Sequence, residues 1–380
     1  LNIYVPREQP NPEEKLNVIV HIHGGGFTFG NGHFYAHPEY LMDRDAILVT
    51  FNYRLGILGF LSTEDAVIPG NNGLKDQVLA LKWVQKNIAC FGGNPGSVTI
   101  TGASAGAASV HLHYLSPMSR GLFHRGLSNS GCAFNPWTMQ KGAEEKSKIL
   151  ASAVGCPEAP SERLLKCLKQ RSYRQILNKI TLFYGYKFEP AVPFGPVVET
   201  GPKPFLDQHP YQLFVKGEVQ DLPWVSSYVA HEGKLLTLAT FNDNIEEINA
   251  DWKKSAPFTL YYNYTIARPV WSFFTERIKE DYLGKNQNVN DENFNEFVKI
   301  FTDRVFVYDG VAAAKLHAGA TNSSVYFYFF SYTDNGTTVQ HADDIQYFFS
   351  GNVVGREPTE NELKMKDVML DMLMAYAKTE

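Results

Sequence analysis

At 380 residues, with 44% of positions hydrophobic and 20% charged, the chain can bury a large core and reads as globular rather than disordered or coiled-coil. No run of about 18 uncharged apolar residues marks a membrane-crossing helix, and a net charge of −5 without a Lys/Arg-dense stretch offers no nucleic-acid face. A small-molecule or peptide partner is the expectation that remains.

The chain opens inside an alternating strand at Leu1, Ile3 and Val5, without an initiator methionine, and stops at Glu380 at the end of an amphipathic helix. It reads as an internal segment of a longer polypeptide, truncated at both ends, so that a signal peptide or anchor would lie outside it. Apolar, β-branched runs at 17–22 and 46–51 predict strands covered on both faces. Between them and the next strand, Leu74, Val78, Leu81, Val84 and Ile88 form one stripe of an amphipathic helix. A turn-rich segment, Phe91-Gly92-Gly93-Asn94-Pro95, leads into a short apolar run at Val98-Thr99-Ile100.

That run ends in Thr101-Gly102-Ala103-Ser104-Ala105-Gly106, the pattern of a nucleophile elbow. A serine hydroxyl attacks a carbonyl only if a sharp strand-to-helix turn holds it clear of the backbone, and Gly102 and Gly106 lack the Cβ atoms that would clash there. The pentapeptide alone would arise by chance in about one chain in seven of this length, so its partners decide its meaning. A small-residue helix follows from Ala105 to about Leu115, and its first amide and dipole favour an oxyanion at the serine.

Further strands are predicted at 126–130, 224–230 and 325–330. Between Pro136 and Phe188 the pattern turns helical and irregular, and this insertion is expected above the carboxyl ends of the sheet, shaping a pocket. A mostly helical segment runs from Lys234 to about Ala318, and the capping-box sequence Thr359-Glu360-Asn361-Glu362 opens the final helix. The order of elements gives an α/β fold with a mostly parallel sheet flanked by helices, and residues 1–380 form one domain on this reading.

Ester hydrolysis by serine needs a base, an acid to orient it, and donors for the oxyanion. His23-Gly24-Gly25-Gly26-Phe27 follows a strand upstream of the serine, where bare glycine amides can turn toward a substrate oxygen; Gly25, Gly26 and Ala105 are the expected donors. Of eleven histidines, His341 alone sits in a polar loop after a late strand, which matches the order serine, acid, histidine. His21, His111 and His113 lie inside predicted strands or helices as core or surface residues, and the H-x-H pairs at 21/23 and 111/113 lack a companion at zinc-ligand spacing. Glu232 ends a predicted strand, with Gly233 allowing a turn after it. Asp221 and Glu199 are rivals by chain order, in loop-like sequence near prolines. Phe27, Phe29, Phe134, Trp137 and Phe348 lie near the motifs and suggest an apolar pocket for a hydrophobic ester.

Cys156 and Cys167 are close enough in sequence to close a short loop, and Cys90 and Cys132 are expected as buried thiols. Asn263, Asn322 and Asn335 head sequons and are candidates for glycosylation, in keeping with secretion.

From Phe91 to Gly106 the chain resembles the serine signature of type-B carboxylesterases, the α/β-hydrolase group that includes insect carboxylesterases, juvenile hormone esterases and cholinesterases. Leu1-Asn2-Ile3-Tyr4-Val5-Pro6, Asn52-Tyr53-Arg54-Leu55-Gly56, 70–77, 116–123 and His341-Ala342-Asp343-Asp344 are similar to other segments of that family. The resemblance implies Ser104 as nucleophile, Glu232 as acid and His341 as base, with no metal or organic cofactor. It implies that Ser130 and Asp344 brace the acid and the histidine, and that Cys156 and Cys167 form a disulfide. Where cholinesterases carry glutamate before the serine this chain has Ala103, which argues against a choline ester; juvenile hormone esterases typically carry glutamine there. Insect general carboxylesterases are the nearest match. A catalytically inactive binding or adhesion protein on the same fold is the competing class, and retention of all three triad residues argues against it.

Overall fold

The computed structural model describes residues 1–33, 36–334, 336, 338–350 and 357–378. The apolar runs pair into seven strands: β1 (Asn2–Tyr4), β2 (Leu16–Ile22), β3 (Ala46–Thr50), β4 (Gly93–Ala103), β5 (Arg125–Asn129), β6 (Trp224–Val229) and β7 (Val325–Phe330). Their order is β1-β3-β2-β4-β5-β6-β7, with β1 antiparallel to β3 and the other pairs parallel.

Both faces of the sheet are covered, which is why β2 and β3 read as unbroken apolar runs. On one face Val18, Val20, Val49 and Ile100 meet the helix Asn72–Asn87 through Leu74, Val78, Leu81 and Val84. On the other, Ile19, Leu48, Leu127 and Val225 meet Leu370 and Leu373 of the helix Glu360–Lys378. Each such fully buried aliphatic side chain contributes about 1.5–3 kcal/mol. The final helix opens with the expected capping box, Thr359 Oγ1 accepting from the Glu362 amide at 3.2 Å and Glu362 accepting from the Thr359 amide at 2.8 Å.

Several expectations shift. The turn-like sequence at 91–95 lies partly inside β4, whose pairing with β2 jumps from Leu16–Gly93 to Val18–Val98; the intervening turn residues bulge out of an otherwise continuous strand. Cys90 is exposed in a short helical turn, not buried, whereas Cys132 is buried. Gly233 lies in the expected turn after Glu232, but its φ of −66° is one that any residue adopts; packing is what demands the glycine, since a Cβ would lie 2.3 Å from the Val298 carbonyl oxygen of the helix Phe294–Phe301.

A disulfide joins Cys156 to Cys167, between the helices Ala143–Ala153 and Ser161–Leu168. Asn263 is half-buried, Asn322 is exposed with its amide donating to Asp221 at 3.1 Å, and Asn335 lies outside the described residues. Among the described residues no helix is long and apolar enough to cross a membrane.

Candidate active site

β4 lies between β2 and β5, and its last residue, Ala103, delivers Ser104 at φ 56° and ψ −121°. A non-glycine residue held there is strained, typically by about 1–3 kcal/mol, so its surroundings must impose the conformation. They do so from both sides: the Ser104 amide donates to the Asn129 carbonyl at 2.8 Å, and the Ser104 carbonyl accepts from the Ala108 amide at 2.9 Å. A Cβ on Gly106 would lie 2.0 Å from the Ile22 carbonyl oxygen, and one on Gly102 would lie 2.4 Å from the Gly106 carbonyl carbon. Close backbone approach therefore demands both glycines. Gly131, which nothing in the sequence singles out, is demanded in the same way, since its Cβ would fall 2.4 Å from the Ser104 carbonyl oxygen.

Glu232 is fully buried just past the end of β6. Its Oε1 accepts from the Val229 amide at 2.9 Å, and its Oε2 accepts from His341 Nδ1 at 2.5 Å. The two segments are stitched together by a parallel bridge between His231 and Gln340. The turn carrying His341 is closed by Asp343, whose carboxylate accepts from the Gln340 amide at 2.8 Å and whose amide donates to the Gln340 carbonyl at 3.0 Å. Burial pushes the Asp343 carboxyl up to about 6. His341 Nε2 is buried and has no hydrogen-bond partner among the described residues. The rival acids are engaged elsewhere: Glu199 pairs with Lys75 and accepts from Asn71 and the Phe205 amide, while Asp221 accepts from Asn322 and Ser323.

Gly25 and Gly26 stand at φ 102° and 58°, in the left-handed region that favours glycine. A Cβ on Gly25 would sit 2.1 Å from the Phe29 carbonyl oxygen. The Gly25 carbonyl holds the turn by accepting from the Thr28 and Phe29 amides, and no described residue accepts from the amides of Gly25 or Gly26. Ala105 is the first residue of the helix Ala105–Leu115, where amides have no intrahelical acceptor. Three amides are thus available at the elbow.

The expected bracing takes a different form. Asp344 is fully buried and bonds neither Glu232 nor His341; its Oδ2 accepts from Asn129 Nδ2 at 2.7 Å, Ser227 Oγ at 2.6 Å and Tyr328 Oη at 2.9 Å. Burial raises its carboxyl pKa, opposed by these donors. One carboxylate therefore ties β5, β6 and β7 to the turn after His341. Ser130 Oγ, by contrast, has no hydrogen-bond partner among the described residues. Asp344→Ala strands three buried donors and is expected to lower stability by about 2–4 kcal/mol; thermal unfolding measures this, and a melting temperature equal to the parent's would count against the tie.

Two further contacts had no signal in the sequence. In the π-helical turn Thr302–Val307, Thr302 Oγ1 accepts from the Gly233 amide at 3.0 Å, and the Phe306 ring lies 4.6 Å from that of His341. An inserted turn of this kind re-aims side chains that a regular helix would point elsewhere. The H-x-H pairs do not converge: His111 stacks on Trp224 at 4.1 Å while His113 bonds Ser119 and Gln77, and His21 bonds Thr101 while His23 bonds the Gly24 carbonyl.

Ser104, His341 and the glycine loop open on one cavity of about 200 Å³, walled by Trp137, Val192, Leu236, Val305 and Phe306. Of the expected aromatics, Phe29 and Trp137 line it. Phe27 and Phe348 are buried in the core instead, and Phe134 lines a neighbouring cavity of about 430 Å³. Of the insertion 136–188 only Trp137 lines the cavity, joined by Ala191 and Val192 just past its end, while its helices stay away from the cavity.

A mostly parallel sheet that ends a central strand in a strained serine, with a carboxylate-bound histidine and a glycine loop opening on the same cavity, defines an α/β hydrolase. The chain belongs to the carboxylesterase family, whose model it matches over residues 1–380. It is 40% identical to venom carboxylesterase-6 of Apis mellifera, over 99% of this chain and 70% of that protein. It is also 40% identical to esterase FE4 of Myzus persicae, over 100% of this chain and 70% of that protein. The fold matches the crystal structure of juvenile hormone esterase from Manduca sexta with OTFP covalently attached, at TM-score 0.83 and 30% identity, covering 99% of this chain and 73% of that one. The chain is a carboxylic ester hydrolase.

Proposed function

We propose that the chain hydrolyses small hydrophobic carboxylic esters through an acyl-enzyme formed on Ser104, and that it works outside the cell. The observation that carries this reading is the buried Glu232–His341 pair, in which His341 Nε2 has no partner among the described residues and the histidine lines the same cavity as Ser104. His341 Nε2 takes the Ser104 proton as Oγ attacks the ester carbonyl carbon, and Glu232 stabilises the resulting imidazolium. The amides of Gly25, Gly26 and Ala105 hold the oxyanion. The imidazolium protonates the departing alcohol; a water, deprotonated by His341, then attacks the acyl carbon, and the carboxylic acid leaves as Ser104 recovers its proton.

Among the described residues no Asp, Glu, Lys or Arg side chain lines the cavity, which favours an uncharged substrate and speaks against a cationic choline ester. The higher identity to venom carboxylesterase-6 and esterase FE4 than to the juvenile hormone esterase of Manduca sexta favours an esterase other than a juvenile hormone esterase. Secretion is supported by the Cys156–Cys167 disulfide, since such bonds persist in oxidising compartments, and by the sequons. The test is to treat the full-length protein with a chromogenic short-chain ester and an organophosphate. A burst and an adduct on Ser104 are expected; no adduct, or one on another residue, would sink the assignment.

A further inference from the structure

Among the hydrogen-bonding side chains of the cavity that the hydrolytic steps leave unused, one stands in the sheet itself. His21 occupies the end of β2, where the other buried residues, Leu16, Val18, Ile19, Val20 and Ile22, are all aliphatic. It is 3% exposed and lines the cavity beside Ala103 and Ile345. An imidazole in such a row is unfavourable unless its nitrogens are satisfied. Nδ1 is satisfied: across the parallel pair His21 is in register with Thr101, and its Nδ1 lies 3.0 Å from Thr101 Oγ1. Thr101 Oγ1 has no other hydrogen-bond partner among the described residues, so its proton is used only if it goes to Nδ1. That places the imidazole proton on Nε2. No described residue bonds Nε2. The ring meets Phe349 edge-on at 4.6 Å, which fixes its plane.

The other polar side chains of the cavity stand beside protein groups. Trp137 Nε1 donates to the Val305 carbonyl at 3.1 Å, and the Tyr261 hydroxyl lies beside the amides of Ala191 and Val192. Ser104 and His341 belong to the reaction. Burial, together with His23, holds His21 down to about 3, so it stays a neutral donor and does not compete with His341 for charge.

We infer that His21 is a specificity-determining residue, whose Nε2–H donates to an ether, keto or hydroxyl oxygen carried by the substrate away from the scissile ester. Oxygen-bearing hydrophobic esters are therefore preferred over their hydrocarbon counterparts. The inference rests on the reading that Ser104 forms the acyl-enzyme in this cavity.

The experiment compares kcat/KM of the full-length protein for two isosteric ester pairs, each value divided by the rate of alkaline hydrolysis. One pair is the para-nitrophenyl ester of pentanoic acid against its ether isostere, with oxygen replacing the fourth carbon; the other is butyl acetate against methoxyethyl acetate. The parent is expected to favour the ether by about tenfold in at least one pair, the worth of one neutral hydrogen bond. His21→Phe should bring that ratio near one, and His21→Gln, which keeps a donor, should retain part of it. Ratios near one for the parent in both pairs, or a ratio undiminished in His21→Phe, overturn the inference. If His21→Phe fails to fold, Thr101→Val, which frees the ring to turn, should lower the ratio, and an unchanged ratio there overturns it equally. Organophosphate labelling keeps the two readings apart: a labelled Ser104 with a flat ratio removes only the role of His21, whereas an unlabelled Ser104 in the parent removes the acyl-enzyme and this inference with it.

Discussion

Ser104→Ala is expected to lower kcat about a millionfold and Glu232→Gln about ten-thousandfold, with KM for short esters little changed. Alanine leaves no oxygen to attack, so only the oxyanion amides and substrate binding remain. The glutamine case follows from the hydrogen bonds of Glu232. One oxygen accepts from the Val229 amide at 2.9 Å and the other from His341 Nδ1 at 2.5 Å, so the side chain must accept at both ends. Glutamine accepts at one end only. If its carbonyl keeps the Val229 amide, its NH2 group faces Nδ1 and forces the ring proton onto Nε2, the nitrogen that must receive the Ser104 proton. Glu232→Asp keeps the charge and should fall between parent and glutamine. Steady-state hydrolysis of a chromogenic ester, normalised to folded protein, measures all three, and a glutamine variant within tenfold of the parent would falsify the assigned role of the carboxylate.

Gly106→Ala is expected to destabilise the fold by more than about 3 kcal/mol or to prevent soluble expression. The added methyl carbon would stand 2.0 Å from the Ile22 carbonyl oxygen and 3.0 Å from that of His23, so it meets backbone, which cannot rotate away. Relief requires the helix Ala105–Leu115 to withdraw from β2, and that helix is buried along its whole length. Gly319→Ala is the control: nothing lies within 4 Å of a Cβ there, in the exposed part of the helix Tyr308–Ala320. Alanine should be neutral there or stabilising by up to about 1 kcal/mol. Denaturant unfolding of both variants decides the matter; equal midpoints would show that the elbow can relax.

The two predictions also mark how far sequence reaches. Ser104 between Gly102 and Gly106 is legible because strand, turn and helix adjoin in the chain and Gly102 would clash with Gly106 four residues on, although the Ile22 carbonyl that excludes a Cβ at Gly106 comes from a distant strand. The strands are legible because burial on both faces of a parallel sheet leaves unbroken β-branched runs, and the helix 72–87 because one face repeats every 3.6 residues or so. Glu232 and His341 follow from chain order together with the ends of predicted strands, although the turn at Gly233 does not need a glycine and the close packing there does.

What remained hidden depends on residues far apart in sequence. Asp344 gathers Asn129, Ser227 and Tyr328 from three strands, a set that exists only once β5, β6 and β7 are in register. Gly131 is a spare glycine until the elbow packs against it, and Phe306 is one more apolar residue until the π-helical turn lays it on His341. His21 reads only as a core or surface histidine, because an unbroken apolar run covered on both faces does not show that one of those faces ends in a cavity. Sequence by itself determined the fold class, the elbow and the chain order of acid and base, since sterics and periodicity act between near neighbours. Only the tertiary structure decided which donors hold Asp344, which residues wall the cavity and that His21 lines it, because those contacts are set by strand register and by packing between separate segments of the chain.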